Sequence, residues 1–140
     1  MVSTRSKENN MPGCVLRVAG SKEKIRKFLA SSSFKPEAVY FKGERKSAKS
    51  VWKSSGFNLM LSGSEGIQKQ AAGAARFIKL NKNEFERMKD FGFKTATIDF
   101  GLYDTSTDKY PWPTYHLSKN IIVLAAAYCF EIELSIYGKQ

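Results

Sequence analysis

Apolar and polar residues alternate one by one in two stretches of the chain, 95–103 and 130–137. A period of two places successive side chains on opposite faces of a β-strand, so both stretches are predicted strands. Shorter apolar runs at 14–19, 38–41 and 57–61 predict three more. In both stretches the apolar residues fall on one face of the strand and mostly polar residues fall on the other. This is typical of a sheet with one face in a core and the other in solvent.

Between these strands, apolar residues recur at helical spacing. The pattern predicts four helices: one between residues 21 and 34, one over 67–78, one from 81 to 92 and one over 119–128. Ser21 and Ser118 suit N-caps, and Gly92 suits the left-handed residue that ends a helix. Two capping boxes are also expected, with Ser62 and Glu65 before the second helix and with Asn81 and Glu84 at the start of the third.

The order of these elements, β-α-β-β-α-α-β-α-β, indicates the fold class. Strands that are adjacent in sequence, mixed with helices, favour an α+β fold over an alternating α/β fold. We therefore predict a mainly antiparallel sheet of about five strands with helices packed on one face. Residues 1–12 are polar and predict a flexible tail, and residues 13–140 predict a single α+β domain.

Composition supports a domain with a core of its own, because 42% of the 140 residues are hydrophobic. Cys14 and Cys129 stand in apolar surroundings without a CxxC spacing, which predicts free, buried thiols. The amino terminus lacks the apolar run of a secretory signal. The longest apolar stretch, 121–129, is too short to span a membrane. The expected location is the cytoplasm, with no membrane partner.

Positive charge is concentrated in the first part of the chain. The net charge is +10, of which residues 1–53 carry +9 and residues 54–140 carry +1. Such asymmetry predicts a positive surface with affinity for polyanions or for an acidic protein. Lysines and arginines fill the polar segment 42–53, which is predicted to be a loop, and Tyr40, Phe41, Trp52 and Phe57 surround it. The mixture fits nucleic-acid binding as well as a protein interface.

Candidates for chemistry are few. His116 is the only histidine, so a pair of histidine ligands for zinc is excluded. Glu131 and Glu133 share one face of the last predicted strand, and Asp99 can stand on a neighbouring strand. Paired carboxylates serve acid–base catalysis or metal binding, but the favoured interpretation is a solvated face that pairs with Arg17. We expect no metal site, no cofactor and no enzyme activity.

A series of short motifs resembles a known family. They are Lys35-Pro36, Gly43-Glu44, Trp52-Lys53-Ser54-Ser55-Gly56-Phe57, a helical pair, Ile98-Asp99-Phe100-Gly101 and Glu133-Leu134-Ser135-Ile136-Tyr137. Together they resemble a bacterial family of uncharacterised small domains (domain of unknown function four-two-seven-nine), over residues 13–138. The resemblance implies an α+β domain without established catalytic residues or cofactor. Small bacterial domains of this kind also look similar to immunity proteins, which neutralise bacterial toxins without an active site.

The leading hypothesis is therefore a non-enzymatic protein-binding module, an immunity or inhibitor protein that occupies the surface of a toxin. A basic chain suits an acidic toxin domain. The predicted partner-binding residues are Arg45, Lys46, Lys49, Trp52, Lys53, Tyr110 and Trp112. The alternative is a nucleic-acid-binding accessory protein. The predicted polyanion-binding residues are Lys22, Lys24, Arg26 and Lys27. A third interpretation, an enzyme, requires Asp99, Glu131, Glu133 or His116 to converge in one pocket.

Overall fold

A computed structural model describes residues 13–63 and 66–139. Within these ranges the chain forms four α-helices and seven β-strands. The strands are β1 (Cys14–Gly20), β2 (Ala38–Tyr40), β3 (Arg45–Ser47), β4 (Ser50–Val51), β5 (Ser55–Ser62), β6 (Thr95–Leu102) and β7 (Glu131–Ile136). The helices are α1 (Lys22–Ala30), α2 (Ile67–Leu80), α3 (Lys82–Phe91) and α4 (Lys119–Ala127). The predicted tail, residues 1–12, lies outside the described residues.

Five strands form one sheet in the order β2-β5-β1-β6-β7. Three of its four pairings are antiparallel, and β6 and β7 run parallel. Helix α4 makes the crossover that a parallel pair requires. The predicted α+β class, with a mainly antiparallel sheet of about five strands, is confirmed. The parallel pair at one edge is the additional feature that the structure shows.

The core lies between one face of the sheet and the helices. Leu16, Phe57 and Ile98 are fully buried on neighbouring strands. Fully buried side chains of three helices meet this face, as Ile25, Phe28, Ile78 and Ile121 do. The opposite face of the sheet carries the polar half of each alternation and is not covered by these helices. One buried and one wet face is the arrangement that the sequence alternation predicts.

Phenylalanines dominate the part of the core beneath α1. The ring of Phe28 lies within 6.1 Å, centroid to centroid, of four other phenylalanine rings, those of Phe34, Phe57, Phe91 and Phe93. Their tilted, stacked and edge-on orientations are those that aromatic rings prefer. This cluster fixes α1 against the sheet, and α1 in turn positions the basic residues described below.

Two predicted helix ends are confirmed by their geometry. The hydroxyl of Ser21 accepts a hydrogen bond from the backbone N–H of Lys24, at 3.2 Å, as an N-cap should. Gly92 ends α3 with a φ of 62°, a left-handed conformation that glycine adopts at little cost.

The two predicted capping boxes are wrong. Gly66 precedes α2, whereas Ser62 is the last residue of β5 and donates its hydroxyl hydrogen bond to the Gln70 carbonyl, at 2.7 Å. Glu65 lies outside the described residues. Asn81 does precede α3, but its side-chain amide donates to the Phe77 carbonyl, at 2.9 Å, and so completes the last turn of α2. The Asn81 side chain makes no capping hydrogen bond to α3.

Glu84 also has a different role from the predicted one. Its carboxylate accepts hydrogen bonds from the Ser33 backbone N–H, at 2.9 Å, and from Arg87, at 2.5 Å. Partial burial acts to raise the pKa of Glu84. The hydrogen bonds outweigh this effect and hold the pKa below its usual value. The contact with Ser33 ties α3 to the segment that follows α1.

Three further findings refine the sequence interpretation. The segment 42–53, expected to be a loop, contains the small hairpin β3–β4. Cys14 is buried as expected, but Cys129 is exposed, because it occupies the turn between α4 and β7 with a φ of 60°. None of the helices in the described ranges is long and apolar enough to cross a membrane.

Candidate interaction surface

The side chain of Trp52 is anchored at one end of the sheet. Backbone hydrogen bonds join Gly43 N–H to the Trp52 carbonyl and Trp52 N–H to the Glu44 carbonyl, both at 2.9 Å. The indole stacks on the ring of Tyr40, with centroids 4.3 Å apart and planes 21° from parallel. The hairpin thus folds back over β2, and Trp52 has a fixed position although it lies in a polar segment.

Glycine at position 56 makes room for this stack. A Cβ atom there would lie 2.2 Å from the Val18 carbonyl oxygen and 2.6 Å from the Tyr40 hydroxyl oxygen. Gly56 lies opposite Tyr40 in the β2–β5 pairing, so the Tyr40 ring crosses directly over it. This close approach explains why a residue without a side chain stands in the interior of a strand.

Cations from two parts of the chain stand over aromatic rings in the same region. The Lys46 ammonium is 4.8 Å from the centroid of Trp52. On the other side of Tyr40, the Arg26 guanidinium and the Lys22 ammonium lie 5.0 and 5.5 Å from the centroid of Phe41. These distances are within the range of cation–π attraction.

Tyr40 and Phe41 are adjacent in the chain, so both groups of cations lie at the same end of the sheet. We call this surface the basic edge; it consists of Lys22, Arg26, Tyr40, Phe41, Lys46, Trp52 and Lys53. On the sequence alone, Lys22 and Arg26 belong to one predicted site and Lys46, Trp52 and Lys53 to another. The structure brings these five residues to one end of the sheet.

A groove of about 440 Å³ lies on the hairpin side of the basic edge. Lys46, Val51, Trp52 and Lys53 line it together with two serines. Ammonium groups beside an indole and two hydroxyl groups provide donors for an anionic group and an apolar wall for its carbon atoms. Such a groove can accept an acidic side chain of a partner.

The remaining candidate residues of the hairpin are placed differently. Arg45 donates a hydrogen bond from its guanidinium to the Ala48 carbonyl, at 3.1 Å, and so stabilises the turn between β3 and β4. Lys49 is exposed in that turn, where its backbone N–H donates to the Ser47 hydroxyl at 3.4 Å. Both residues contribute charge close to the groove without lining it.

Two candidate residues of α1 are separate from this surface. Lys24 donates from its ammonium to the Gly92 carbonyl, at 3.2 Å, and so connects α1 with the end of α3. Lys27 is exposed in the last turn of α1. Of the four predicted polyanion-binding residues, only Lys22 and Arg26 contact the aromatic rings of the basic edge.

Tyr110 and Trp112 lie at the opposite corner of the sheet. They follow β6, in a segment held next to the chain end, where Lys139 donates to the Ser106 carbonyl at 3.2 Å. The hairpin instead precedes β5, at the other end of the strands and near the other edge. Both side chains are exposed, by 59% and 70%. The structure therefore divides the predicted partner-binding set between two distant places.

The acidic candidates share one face of the sheet, as expected. Asp99 lies opposite Glu133 in the parallel β6–β7 pairing, and Glu131 lies opposite Thr97. Asp99 is buried, and its two oxygens accept hydrogen bonds from Arg17 Nε, at 3.1 Å, and Ser135 Oγ, at 2.6 Å. The predicted pairing with Arg17 is thus made by Asp99. Ser135 is a partner that the sequence did not reveal, because only the parallel pairing brings it near.

Two further residues with reactive side chains are His116 and Cys14. His116 is exposed in the segment before α4. Burial raises the pKa of the Cys14 thiol to about 12, which keeps it protonated and unreactive. Within residues 13–63 and 66–139 no three histidine, cysteine, aspartate or glutamate side chains are placed so that they could hold a metal ion.

Comparison with protein-family models, with curated proteins and with solved structures gives no match for this chain. The interpretation of the basic edge therefore depends on its own geometry and charge.

Proposed function

We propose that this chain is a non-enzymatic protein-binding module of the immunity or inhibitor class, which binds an acidic toxin domain through its basic edge. The observation that supports this proposal is the convergence of cations from α1 and from the hairpin on aromatic rings at one end of the sheet, those of Phe41 and of Trp52 stacked on Tyr40. Aromatic and arginine side chains together dominate the energetics of protein interfaces.

Preorganisation adds to the suitability of this surface. A lysine or arginine that is held over a ring has already lost part of its side-chain freedom before a partner arrives. Binding then costs less conformational entropy than at freely moving surface lysines. The charges also accelerate encounter with an acidic partner and disfavour basic ones. These properties suit an inhibitor that must recognise one target.

A nucleic-acid-binding accessory function is the second candidate. It is favoured by the continuity of Lys22 and Arg26 with the hairpin, since a row of cations can follow a phosphate backbone. The stack of Trp52 on Tyr40, with Lys46 over the indole, is a point against it. This indole is anchored within the protein rather than presented as a free platform for a base.

The test is a capture experiment from a lysate of the source cells, with the tagged chain, added nuclease, and salt at about 50 mM and about 200 mM. The proposal predicts a stoichiometric acidic protein that remains bound after nuclease and at the higher salt. Lys46→Glu with Lys53→Glu should abolish this capture. The matched control is Lys82→Glu with Lys109→Glu, which changes the net charge equally but lies outside the basic edge.

Each outcome decides between the candidates. Recovery of nucleic acid alone, lost at the higher salt, contradicts the protein-binding proposal and supports the second candidate. If both double variants lose capture equally, the net charge of the chain rather than the basic edge is responsible for binding. If the captured protein is a toxin, co-expression of this chain should restore growth of cells that produce it, and the Lys46→Glu, Lys53→Glu variant should not.

A further inference from the structure

Helix α4 has an apolar surface on the side that faces away from the core. Ile121 and Ala125 are buried, as expected for the inner side of a helix. On the outer side, Ile122 and Val123 are 47% and 58% exposed, and the next turn continues with the exposed Ala126 and Ala127. A helix that is apolar on all sides is normally enclosed by other parts of a structure.

The neighbouring strand has the same character. Strand β7 forms one edge of the sheet, so one side of its backbone has no partner strand among the described residues. Leu134, Ile136 and Tyr137 are 44%, 53% and 58% exposed. Natural edge strands are usually protected by charged side chains, above all lysine, by proline or by a short length. Strand β7 has six residues, no lysine and no proline, and its two charged residues, Glu131 and Glu133, lie on the same face as Asp99.

The two features form one surface. Because β6 and β7 are parallel, α4 must run back along the sheet between them, and α4 contacts β7. The first turn of α4 therefore lies near the end of β7, where Ile136 stands. We call this surface the apolar edge; it consists of Ile122, Val123, Ala126, Ala127, Leu134 and Ile136. Contiguous apolar surface of this kind marks an interaction site.

Charge indicates what covers the apolar edge. The cations of the basic edge lie across the sheet, beside β2 and β5, whereas β7 carries Glu131 and Glu133 and no basic residue. Two copies of a chain with a net charge of +10 repel each other least when they meet on this side. An acidic partner would be attracted to the opposite edge instead.

We infer that the apolar edge binds a second copy of this chain, with the two β7 strands antiparallel about a two-fold axis. A register centred on Leu134 places Leu134 opposite its equivalent, Ile132 opposite Ile136 and Glu133 opposite Ser135. No two carboxylates then stand directly opposite each other, which would be destabilising. The strand is self-complementary, as an interface with two-fold symmetry requires.

This arrangement also buries the exposed face of α4. A two-fold axis perpendicular to the sheet keeps both helix layers on the same side, so the two α4 helices become neighbours. The two basic edges then lie at the far ends of a continuous sheet and point away from each other. The inference is independent of the proposed function, because it involves none of the residues of the basic edge.

The test is sedimentation equilibrium of the full chain over a range of concentrations. We expect a monomer–dimer equilibrium. Leu134→Lys and Val123→Lys should each raise the dimer dissociation constant by about 30-fold or more, as substitution of a central interface residue does. Val51→Lys is the matched control, since Val51 is 52% exposed but lies in the hairpin at the other edge. It should leave the constant unchanged.

Hydrogen exchange provides a second readout that does not depend on variants. In the dimer the outward amides of β7 are paired, so their protection should increase with protein concentration. A wild-type chain that is monomeric at every concentration overturns the inference. A dimer that Leu134→Lys and Val123→Lys do not weaken, although both variants retain the native circular dichroism spectrum, overturns it as well. The inference is also overturned if the chain alone stays monomeric and a different protein protects the β7 amides from exchange.

Discussion

The two edges of the sheet differ in strand length and in whether cations cover their apolar and aromatic side chains. At the basic edge, rings lie under cations, and the edge strand β2 is three residues long. At the apolar edge, β7 is six residues long, and neither it nor the outward side of α4 carries a cation above its apolar side chains.

The difference shows how one small domain can separate two kinds of contact. Short strands and surrounding charge discourage another strand from pairing at the basic edge, which leaves its cations available to a ligand of opposite charge. The longer β7 edge has no lysine or proline, lacks this protection and can extend the sheet. Substitutions of matched residues at each place test whether the edges differ in this way.

The largest effect is expected from the two neighbouring isoleucines of α4. Ile121→Ala should lower the free energy of unfolding by about 3 kcal/mol, because Ile121 is fully buried and its loss leaves a cavity. Ile122→Ala, measured at low protein concentration, should change it by less than about 0.5 kcal/mol. Urea denaturation measures both. Similar losses in the two variants would show that the outer side of α4 is packed within the monomer.

A smaller effect is expected from a glycine near the start of β5, at the basic edge, and it is compared with a glycine that follows the other end of this strand. Gly56→Ala should cost about 2 kcal/mol, because the new Cβ meets the Val18 carbonyl and displaces Tyr40 from beneath Trp52. Gly63→Ala is the control, since a Cβ there has no atom of the described residues within 4 Å. Urea denaturation of the two variants compares them. A neutral Gly56→Ala would mean that the aromatic stack does not depend on this close approach.

Between the two edges, the ion pair of Arg17 and Asp99 should contribute less to the free energy of unfolding. Arg17→Ala removes one of the two hydrogen bonds to the buried Asp99 carboxylate and should cost about 1 kcal/mol. Glu133→Gln, on the same face but exposed, should leave the free energy of unfolding nearly unchanged. Thermal and urea unfolding measure the difference. An equal response to both changes would indicate that Asp99 is solvated rather than held by Arg17.

The smallest perturbation is chemical labelling of the thiols, which should leave the fold intact. Cys129, exposed in the turn that joins α4 to β7, should react with iodoacetamide in the native protein at pH 8. Cys14 should not react, because its thiol is buried and its raised pKa leaves almost no thiolate below pH 10. Mass spectrometry counts one label in the native state and two in urea. Two native labels would contradict the burial of β1.

Local signals allowed most elements to be predicted from the sequence. Ser21 and Gly92 mark helix ends through local effects. The Ser21 hydroxyl accepts a hydrogen bond from a backbone N–H three residues later, and Gly92, without a side chain, adopts the left-handed conformation. The same reasoning failed at Asn81, whose amide serves the preceding helix. The hairpin β3–β4 was missed because its five residues carry almost no apolar alternation, and pairing across a turn stabilises them instead.

The surfaces depend on contacts between distant parts of the chain, so the sequence indicated them only in part. The basic character of 42–53 was evident, but only the folded structure shows that Arg26 reaches the ring next to Tyr40. It likewise shows that Trp112 lies far from Trp52. The apolar run of α4 predicted a helix but not its exposed side, because composition does not show which face lacks a neighbour.

The position of β1 has a consequence for how the chain acquires its structure. Leu16 lies between Leu59 and Ile98, so β1, which is synthesised before both of its neighbours, gains the second one only after β6 has been synthesised. Pairings between such distant segments slow folding, to times on the order of milliseconds to seconds. Until Leu102 leaves the ribosome, one side of β1 stays without a partner. During that interval the nascent chain is most exposed to aggregation and to binding by chaperones.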